Sequence, residues 1–281
     1  MAAVRLALSQ FGAELGDVGA NLESMLAAVA EAADAGADVV CFPELSLSGY
    51  LLTIEDYSEA LLDAVRSAER ELAAASRRSG ITLVYGTPAR GGDGCLRNLV
   101  VLQDGHGDRL VYGKTHMVAK ERRVFTPGSA FVVDGRGIGL ACCYDLAFPE
   151  AMRVLGLRGA RLLIVPMAWE VERGFVMRRL MAARAIENVA YVAGVNQCGT
   201  IGEFRFCGGS CIVNPLGEVC VSAGDASGLV IADADVDWVT RLRGGEDDRL
   251  YPLWADRRPD LYGLIATAPC SESAHQVLSQ T

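Results

Sequence analysis

Several features that would assign the chain to a broad protein class are absent from the sequence. No apolar run approaches the roughly 18 residues that a membrane-spanning helix needs, and residues 1–5 lack the charged and apolar segments of a secretory signal peptide. The net charge is −9 and the isoelectric point is near 4.9, whereas a nucleic-acid-binding surface is basic. We therefore expect a cytoplasmic protein that binds neither membranes nor nucleic acids.

Paired cysteines and histidine clusters are absent as well. Nine cysteines is an odd number, and their spacing follows no disulfide framework, which indicates free thiols in a reducing compartment. The sequence has three histidines, and none is near Cys207 and Cys211, the closest separated pair of cysteines. This spacing argues against a structural zinc site.

The remaining composition is typical of a large folded α/β protein. Hydrophobic residues make up 51% of the 281 residues, enough for a core without disulfides. Strands at residues 81–86, 98–103 and 109–112 are joined by turns too short for a crossover helix, which predicts antiparallel pairing. We also expect Asn21 to cap the first helix and Phe175 to point inward from a helix at residues 174–188.

Two segments of the chain resemble each other. Residues 36–43 (GADVVCFP) align with residues 159–166 (GARLLIVP), and each segment follows a helix and forms a strand that ends in proline. The match predicts two related α/β halves that face each other sheet against sheet. In that arrangement Glu44 and Trp169 follow equivalent strands and approach one site.

Residues 139–150 (GLACCYDLAFPE) have the pattern of a strand, an elbow and a helix. An apolar strand runs to Cys142 and Cys143, and Pro149 then suits the first turn of a helix. A thiol at the carboxyl end of a strand lies where open α/β sheets place their sites. A nucleophilic thiol needs a base or a cation nearby. Glu44 and Lys114 each follow an apolar strand and are candidates, although each alone also fits a surface position.

Taken together, these residues resemble the nitrilase (carbon–nitrogen hydrolase) superfamily. The resemblance runs from about residue 3 to 264 and follows the family's order and separations. Its main motifs are residues 42–50 (FPELSLSGY), 112–116 (YGKTH) and 143–150 (CYDLAFPE). Further matches are residues 121–128, 184–188, 209–217 and 256–262, together with Asn196.

The resemblance implies an α/β fold in the form of an α–β–β–α sandwich of two related halves. It implies a hydrolase domain at residues 1–264, followed by a C-terminal tail at residues 265–281. Subunits of this family commonly pair, so we expect a homodimer or a higher oligomer. The resemblance implies no cofactor and no metal.

The resemblance also assigns roles to residues of this chain. Glu44 is implied as the general base, Lys114 as the oxyanion stabiliser and Cys143 as the nucleophile. Glu121 matches a glutamate that orients the lysine and the substrate, and the backbone N–H of Tyr144 shares the oxyanion. We expect Trp169 and Tyr50 to contact the substrate.

Two other residues compete for these roles. Cys142 is an alternative nucleophile, but the Tyr-Asp that follows the nucleophile in the family motif selects Cys143. Because successive strand side chains face opposite ways, we expect Cys142 to lie in the core. His116 suggests a Cys–His dyad, but the family does not use it as the base, and we expect a structural role.

The substrate is less well defined than the residues. Tyr144-Asp145 after the cysteine, in place of Trp-Glu, favours a small carboxamide that is hydrolysed to a carboxylate and ammonia or an amine. Hydrolysis of an N-carbamoyl compound or a nitrile is the alternative, and a catalytically silent binding protein is the third hypothesis. Residues 167–173 carry two acids and one arginine, which leaves the preferred substrate charge open and only slightly favours an apolar or amine-bearing amide.

Overall fold

The computed structural model describes residues 3–267. Within this range no helix has the length and apolar character needed to cross a membrane. The helices are α1 (Val18–Asp34), α2 (Glu59–Ser79), α3 (Pro149–Leu157), α4 (Gly174–Asn188), α5 (Val236–Gly244) and α6 (Gly263–Thr267). The tail expected at residues 265–281 lies mostly outside the described residues.

The strands form two six-stranded sheets and a separate hairpin. The first sheet contains β1 (Val4–Gln10), β2 (Val39–Cys41), β3 (Thr82–Arg90), β4 (Leu96–Gln103), β5 (Arg109–Gly113) and β14 (Gly228–Ala234). The second contains β6 (Val132–Val133), β7 (Ile138–Leu140), β8 (Leu162–Met167), β9 (Tyr191–Asn196), β12 (Cys211–Val213) and β13 (Val219–Ser222). The hairpin consists of β10 (Cys198–Ile201) and β11 (Phe204–Cys207).

The two sheets have the same internal plan. The first runs β14-β1-β2-β3-β4-β5 and the second β13-β12-β9-β8-β7-β6. In each, three parallel strands (β1 to β3, β7 to β9) are followed by two antiparallel ones. Strand β2 therefore corresponds to β8, as the internal similarity predicts. The predicted sandwich of two related halves is confirmed, as is the antiparallel pairing of β3 to β5.

Alternation along the strands separates the layers. Leu8 and Val84 of the first sheet belong to the same buried cluster as Leu140 and Ile164 of the second. Ala7 and its neighbours on the opposite face pack against α1 and α2. Because successive strand residues point to opposite faces, one apolar strand supplies both layers. Helices α3 and α4 cover the outer face of the second sheet.

Two local predictions are wrong. Helix α1 begins earlier, at Val18, and Asp17 caps it by accepting from the Ala20 N–H. Asn21 instead binds the Glu14 backbone. Phe175 is 55% exposed, because Met177 sets the buried face of α4 and a residue two positions earlier lies about 200° around a helix.

Candidate active site

The predicted catalytic residues lie at one edge of the two sheets. Glu44 follows β2, Lys114 follows β5, and Cys143 follows β7. Strands β2 and β5 run in the same direction, so their carboxyl ends meet at this edge. A cleft of about 630 Å³ opens there, with Cys143 and Tyr144 in its wall.

The backbone around Glu44 is fixed from both halves. Gly86 N donates to Pro43 O at 3.2 Å, and Gln197 of the second half donates through Nε2 to Glu44 O at 3.0 Å. A Cβ atom on Gly86 would lie 2.3 Å from Leu45 N, so only glycine fits beside this turn. Leu45 itself has φ 50°, a left-handed conformation that non-glycine residues rarely adopt.

The two oxygens of the Glu44 carboxylate have different surroundings. Oε1 accepts from Asn98 Nδ2 at 2.7 Å, from Lys114 Nζ at 2.7 Å and from Cys142 Sγ at 3.3 Å. Oε2 is buried and has no partner in the described part of the chain. The carboxylate is therefore held through one oxygen, and the other is free to accept a proton.

Asn98 is a site residue that the sequence analysis missed. It is fully buried in the middle of β4, where its side chain orients Glu44 and its carbonyl accepts from Lys114 N at 2.9 Å. Asn98 lies within a strand, whereas the predicted catalytic residues follow strands. A polar amide within an apolar strand was the available signal, because buried polar groups need partners.

Lys114 joins two carboxylates. Its Nζ lies 2.7 Å from Glu44 Oε1 and 2.6 Å from Glu121 Oε1, and all three side chains are fully buried. Burial lowers the pKa of Lys114, but the two carboxylates outweigh that effect and raise it well above its usual value. The side chain is therefore an ammonium with three N–H donors, of which two are used. The third is available to a developing oxyanion.

Glu121 is held on both oxygens. Tyr50 OH donates to Oε1 at 2.8 Å, and Val118 N donates to Oε2 at 3.0 Å. Burial and the Glu44 charge raise the pKa of Glu121, and Lys114 and the Tyr50 hydroxyl oppose this only in part. Tyr50, predicted to contact the substrate, lies in the cleft wall and also orients Glu121.

Cys143 stands at the turn of the elbow. Strand β7 ends at Leu140, three residues before the predicted end, and residues 143–147 form a 3-10 turn that leads into α3. Cys143 has φ 45°, a strained conformation of the kind that concentrates at functional sites. The Tyr144 N–H lies in the first turn, where helical N–H groups lack helical acceptors.

The Cys143 thiol is neutral at rest. Burial and the Glu44 carboxylate raise its pKa well above the usual value. The Lys114 charge and a hydrogen bond from the Ala168 backbone lower this pKa but do not reverse the shift. Nucleophilic attack by this thiol therefore requires a base, and Glu44 is the nearby carboxylate with a free oxygen.

Asp145 fixes the elbow to the loop after β5. It accepts from Cys142 N at 2.9 Å, Tyr112 OH at 2.7 Å and His116 N at 2.9 Å. Burial raises the Asp145 pKa, but hydrogen bonds from His116 and Tyr112 outweigh it, so the pKa is lowered. The His116 ring lies 3.8 Å from the ring centre of Phe148. His116 thus binds Asp145 and stacks on Phe148, and both contacts hold the elbow in place.

Cys142 is in the core, as expected, but it also contacts the site. Its side chain is completely buried, yet its Sγ lies 3.3 Å from Glu44 Oε1. The expectation that only one of the two cysteines faces the site is wrong in this respect. Strand alternation does not apply here, because the chain leaves the strand before Cys142 and Cys143 is left-handed.

Trp169 lies in the cleft wall, as predicted. Its backbone N donates to Asn196 Oδ1 at 2.7 Å, which ties the segment after β8 to the end of β9. Its indole N–H is buried and has no acceptor among residues 3–267. Five charged side chains also line the cleft: Lys120, Arg122, Arg123, Glu170 and Arg173.

Comparisons with known proteins agree with this geometry. The model of the family described as "Carbon-nitrogen hydrolase" matches residues 5–243. A protein called "Hydrolase in pqqF 5'region" from Pseudomonas protegens is 38% identical over 92% of this chain and 90% of its own length. An "(R)-stereoselective amidase" from Pseudomonas sp. is 32% identical over 92% of this chain and 93% of its own length.

A solved structure is also similar. The amidase from Nesterenkonia sp. AN1 matches with a TM-score of 0.81 and 30% identity, over 93% of this chain and 96% of that one. That structure is of a glutamate-to-glutamine mutant, and it shows covalent addition of the acetamide moiety of fluoroacetamide at the active-site cysteine.

Proposed function

This chain belongs to the carbon–nitrogen hydrolase family, and we propose that it hydrolyses a small carboxamide to a carboxylate and ammonia or an amine through a thioester on Cys143. The proposal rests on the different surroundings of the two oxygens of the Glu44 carboxylate. One oxygen is held by Lys114 and Asn98, and the other is free beside a neutral thiol. Similarity to two proteins named as amidases favours the carboxamide.

In the first step Cys143 attacks the substrate. Its Sγ forms a bond to the amide carbon while Glu44 Oε2 takes the thiol proton, and the carbonyl electron pair moves to oxygen. The third N–H of Lys114 and the backbone N–H of Tyr144 donate to that oxyanion. Preorganised donors of this kind contribute about 10²–10³ each in rate.

In the second step the C–N bond breaks. Glu44 gives its proton to the leaving nitrogen, ammonia or an amine departs, and the carbonyl re-forms as a thioester on Cys143. A water molecule then attacks the thioester and gives a proton to Glu44. The carbon–sulfur bond breaks, the proton on Glu44 returns to the sulfur, and the carboxylic acid leaves and ionises to the carboxylate in solution.

Intact-protein mass spectrometry tests this chemistry directly. The protein is mixed with a panel of amides, ureido compounds and nitriles, quenched in acid, and assayed for ammonia. We expect an acyl adduct on Cys143 and ammonia release with at least one carboxamide. Turnover only of ureido compounds or nitriles would favour the alternative substrates, and no adduct with any class would favour a silent binding protein.

Three further features are proposed from the same resemblance. We propose that residues 1–264 form the hydrolase domain, that subunits pair into a homodimer or higher oligomer, and that the protein works in the cytoplasm. Light scattering during size-exclusion chromatography gives the mass in solution. A monomer at micromolar concentration would contradict the oligomer.

A further inference from the structure

The mouth of the cleft is positively charged, although the protein carries a net charge of −9. Lys120, Arg122 and Arg123 all line the cleft and are exposed. None of the three forms an ion pair with a carboxylate in the part of the chain that the structure describes. Unpaired cations grouped at one opening attract anions and raise their local concentration.

The local fold holds these side chains at the opening. Glu121 points inward to Lys114, and the short 3-10 turn at Glu121–Arg123 leaves the residues on either side of Glu121 outside. Arg122 Nε donates to Met117 O at 3.0 Å, and Lys120 Nζ lies 5.5 Å from the centre of the Phe204 ring. The anchor of the catalytic lysine therefore also places the cations.

The acidic part of the lining does not cancel this charge. Glu170 is the acidic side chain of the lining, and its Oε2 is held by Arg173 Nη1 at 2.7 Å. These two charges compensate each other, so Lys120, Arg122 and Arg123 remain as the uncompensated charges of the lining in the described part of the chain.

The cleft is larger than a two-carbon amide requires. Its volume of about 630 Å³ falls within the range of sites for small organic ligands. Leu52, Val118 and Phe204 add apolar wall to the same cleft as Cys143 and the basic residues. An acyl chain of several methylene groups suits this wall, and a carboxylate at its far end suits the guanidinium and ammonium groups.

We propose that the acyl part of the substrate carries a carboxylate, so that the substrate is a monoamide of a linear dicarboxylic acid. The inference rests on the proposed amidase function, which supplies the amide end of the molecule at Cys143. It replaces the expectation from the sequence, which slightly favoured an apolar or amine-bearing amide, because an ammonium group would meet like charges at the mouth.

Three amides of matched length test the inference on the full-length protein. Glutaramate ends in a carboxylate, pentanamide in a methyl group and 4-aminobutanamide in an ammonium group. At low ionic strength we expect kcat/KM for glutaramate to exceed both others by at least about tenfold. The advantage should shrink as sodium chloride is raised, since salt screens exposed charges.

Substitutions at the mouth identify the groups responsible. Arg122→Gln and Arg123→Gln should each lower kcat/KM for glutaramate by about three- to tenfold, mostly through KM, and change that for pentanamide less than about twofold. Arg78→Gln is the matched control. It removes the same charge from an exposed site at the carboxyl end of α2, at the opposite edge of the sheet from Glu44, and should have no effect.

The outcomes separate the two proposals. Turnover of pentanamide or 4-aminobutanamide that equals or exceeds that of glutaramate would overturn the carboxylate and leave the amidase function intact. A glutaramate preference that survives both arginine substitutions and high salt would also overturn the role of this mouth. Failure of all amides to acylate Cys143 would overturn the amidase function, and the inference with it.

Discussion

The two halves of the molecule share a strand plan but contribute differently to the site. The turn after β2 carries a buried carboxylate, Glu44, whereas the equivalent turn after β8 supplies the Met167 carbonyl, the Ala168 N–H and the Trp169 ring. The thiol follows β7, and the equivalent position after β1 has only Phe11 and Gly12.

This difference shows what duplication of the fold provides. Two related sheets packed face to face bring several strand ends together, which is the usual position for a site in an α/β fold. The first half and the loop after it supply the buried ions Glu44, Lys114 and Glu121. The second half supplies the nucleophile and backbone donors. Neither half alone contains the whole set, so the site exists only where they meet.

The largest effect is expected when the nucleophile, which the second half supplies, is removed. Cys143→Ala should abolish turnover, a loss of at least about 10⁴-fold, because Cys143 is the thiol that lines the cleft. The cleft changes by one sulfur atom, so circular dichroism and the thermal melting temperature should stay close to those of the unchanged protein. Near-normal activity in this variant would contradict the assignment of the nucleophile. Cys142→Ala is the matched control.

The next largest effect comes from the first half. Glu44→Gln removes the base and should lower kcat by about 10²–10⁴-fold. The same change should make the thiol more acidic, because Glu44 raises the Cys143 pKa and Lys114, which lowers it, remains. The midpoint of iodoacetamide labelling of Cys143 against pH should therefore move to lower pH while turnover is lost.

Both the turnover and the midpoint of labelling are needed to interpret the Glu44 variant. A midpoint that moves to higher pH would mean that Glu44 does not set the charge around the thiol. Full activity with an unmoved midpoint would remove Glu44 from the mechanism. Cys143→Ala treated with the same reagent gives the background labelling of the other cysteines.

The site was more predictable than its supports, and the reason is physical. Glu44, Lys114 and Cys143 follow strands in an order that resembles that of the family, and the structure brings them together. Asn98 lies inside a strand, and Cys142 contacts Glu44 across the two halves. Such contacts depend on how the halves dock, which no local pattern in the sequence describes.

The fold, like the site, was predicted from the sequence only in part. The equivalence of β2 and β8 followed from the repeated segment before Pro43 and Pro166, because the pattern of a strand after a helix is local. The hairpin of β10 and β11 was missed, although Gly202-Glu203 between alternating residues is a two-residue hairpin signal. Phe175 was predicted to point inward because it is apolar, but its position on α4 places it on the exposed face.

A smaller effect is expected from the loop after β5, in which Glu121 binds Lys114. Glu121→Gln should lower kcat by about 10- to 100-fold, since Lys114 keeps Glu44 but loses one of two charged partners. Tyr50→Phe removes only the hydroxyl that donates to Glu121 and should cost less than about tenfold. Steady-state kinetics on one amide compares them. A larger loss in Tyr50→Phe would show that the hydroxyl acts on the substrate.

The smallest effect tests a thiol contact between the two halves. Cys142 Sγ donates to the Glu44 oxygen that Lys114 and Asn98 also hold, so Cys142→Ala removes one of three donors. We expect kcat to fall about two- to fivefold, because an S–H donor is weak. Steady-state kinetics on one carboxamide compares this variant with the unchanged protein.

Cys142→Ser separates that role from packing. Serine keeps a donor at nearly the same place, so it should restore kcat even if the smaller oxygen packs less well against the buried strand. If alanine and serine give the same kcat and differ only in thermal stability, Cys142 is a core residue alone.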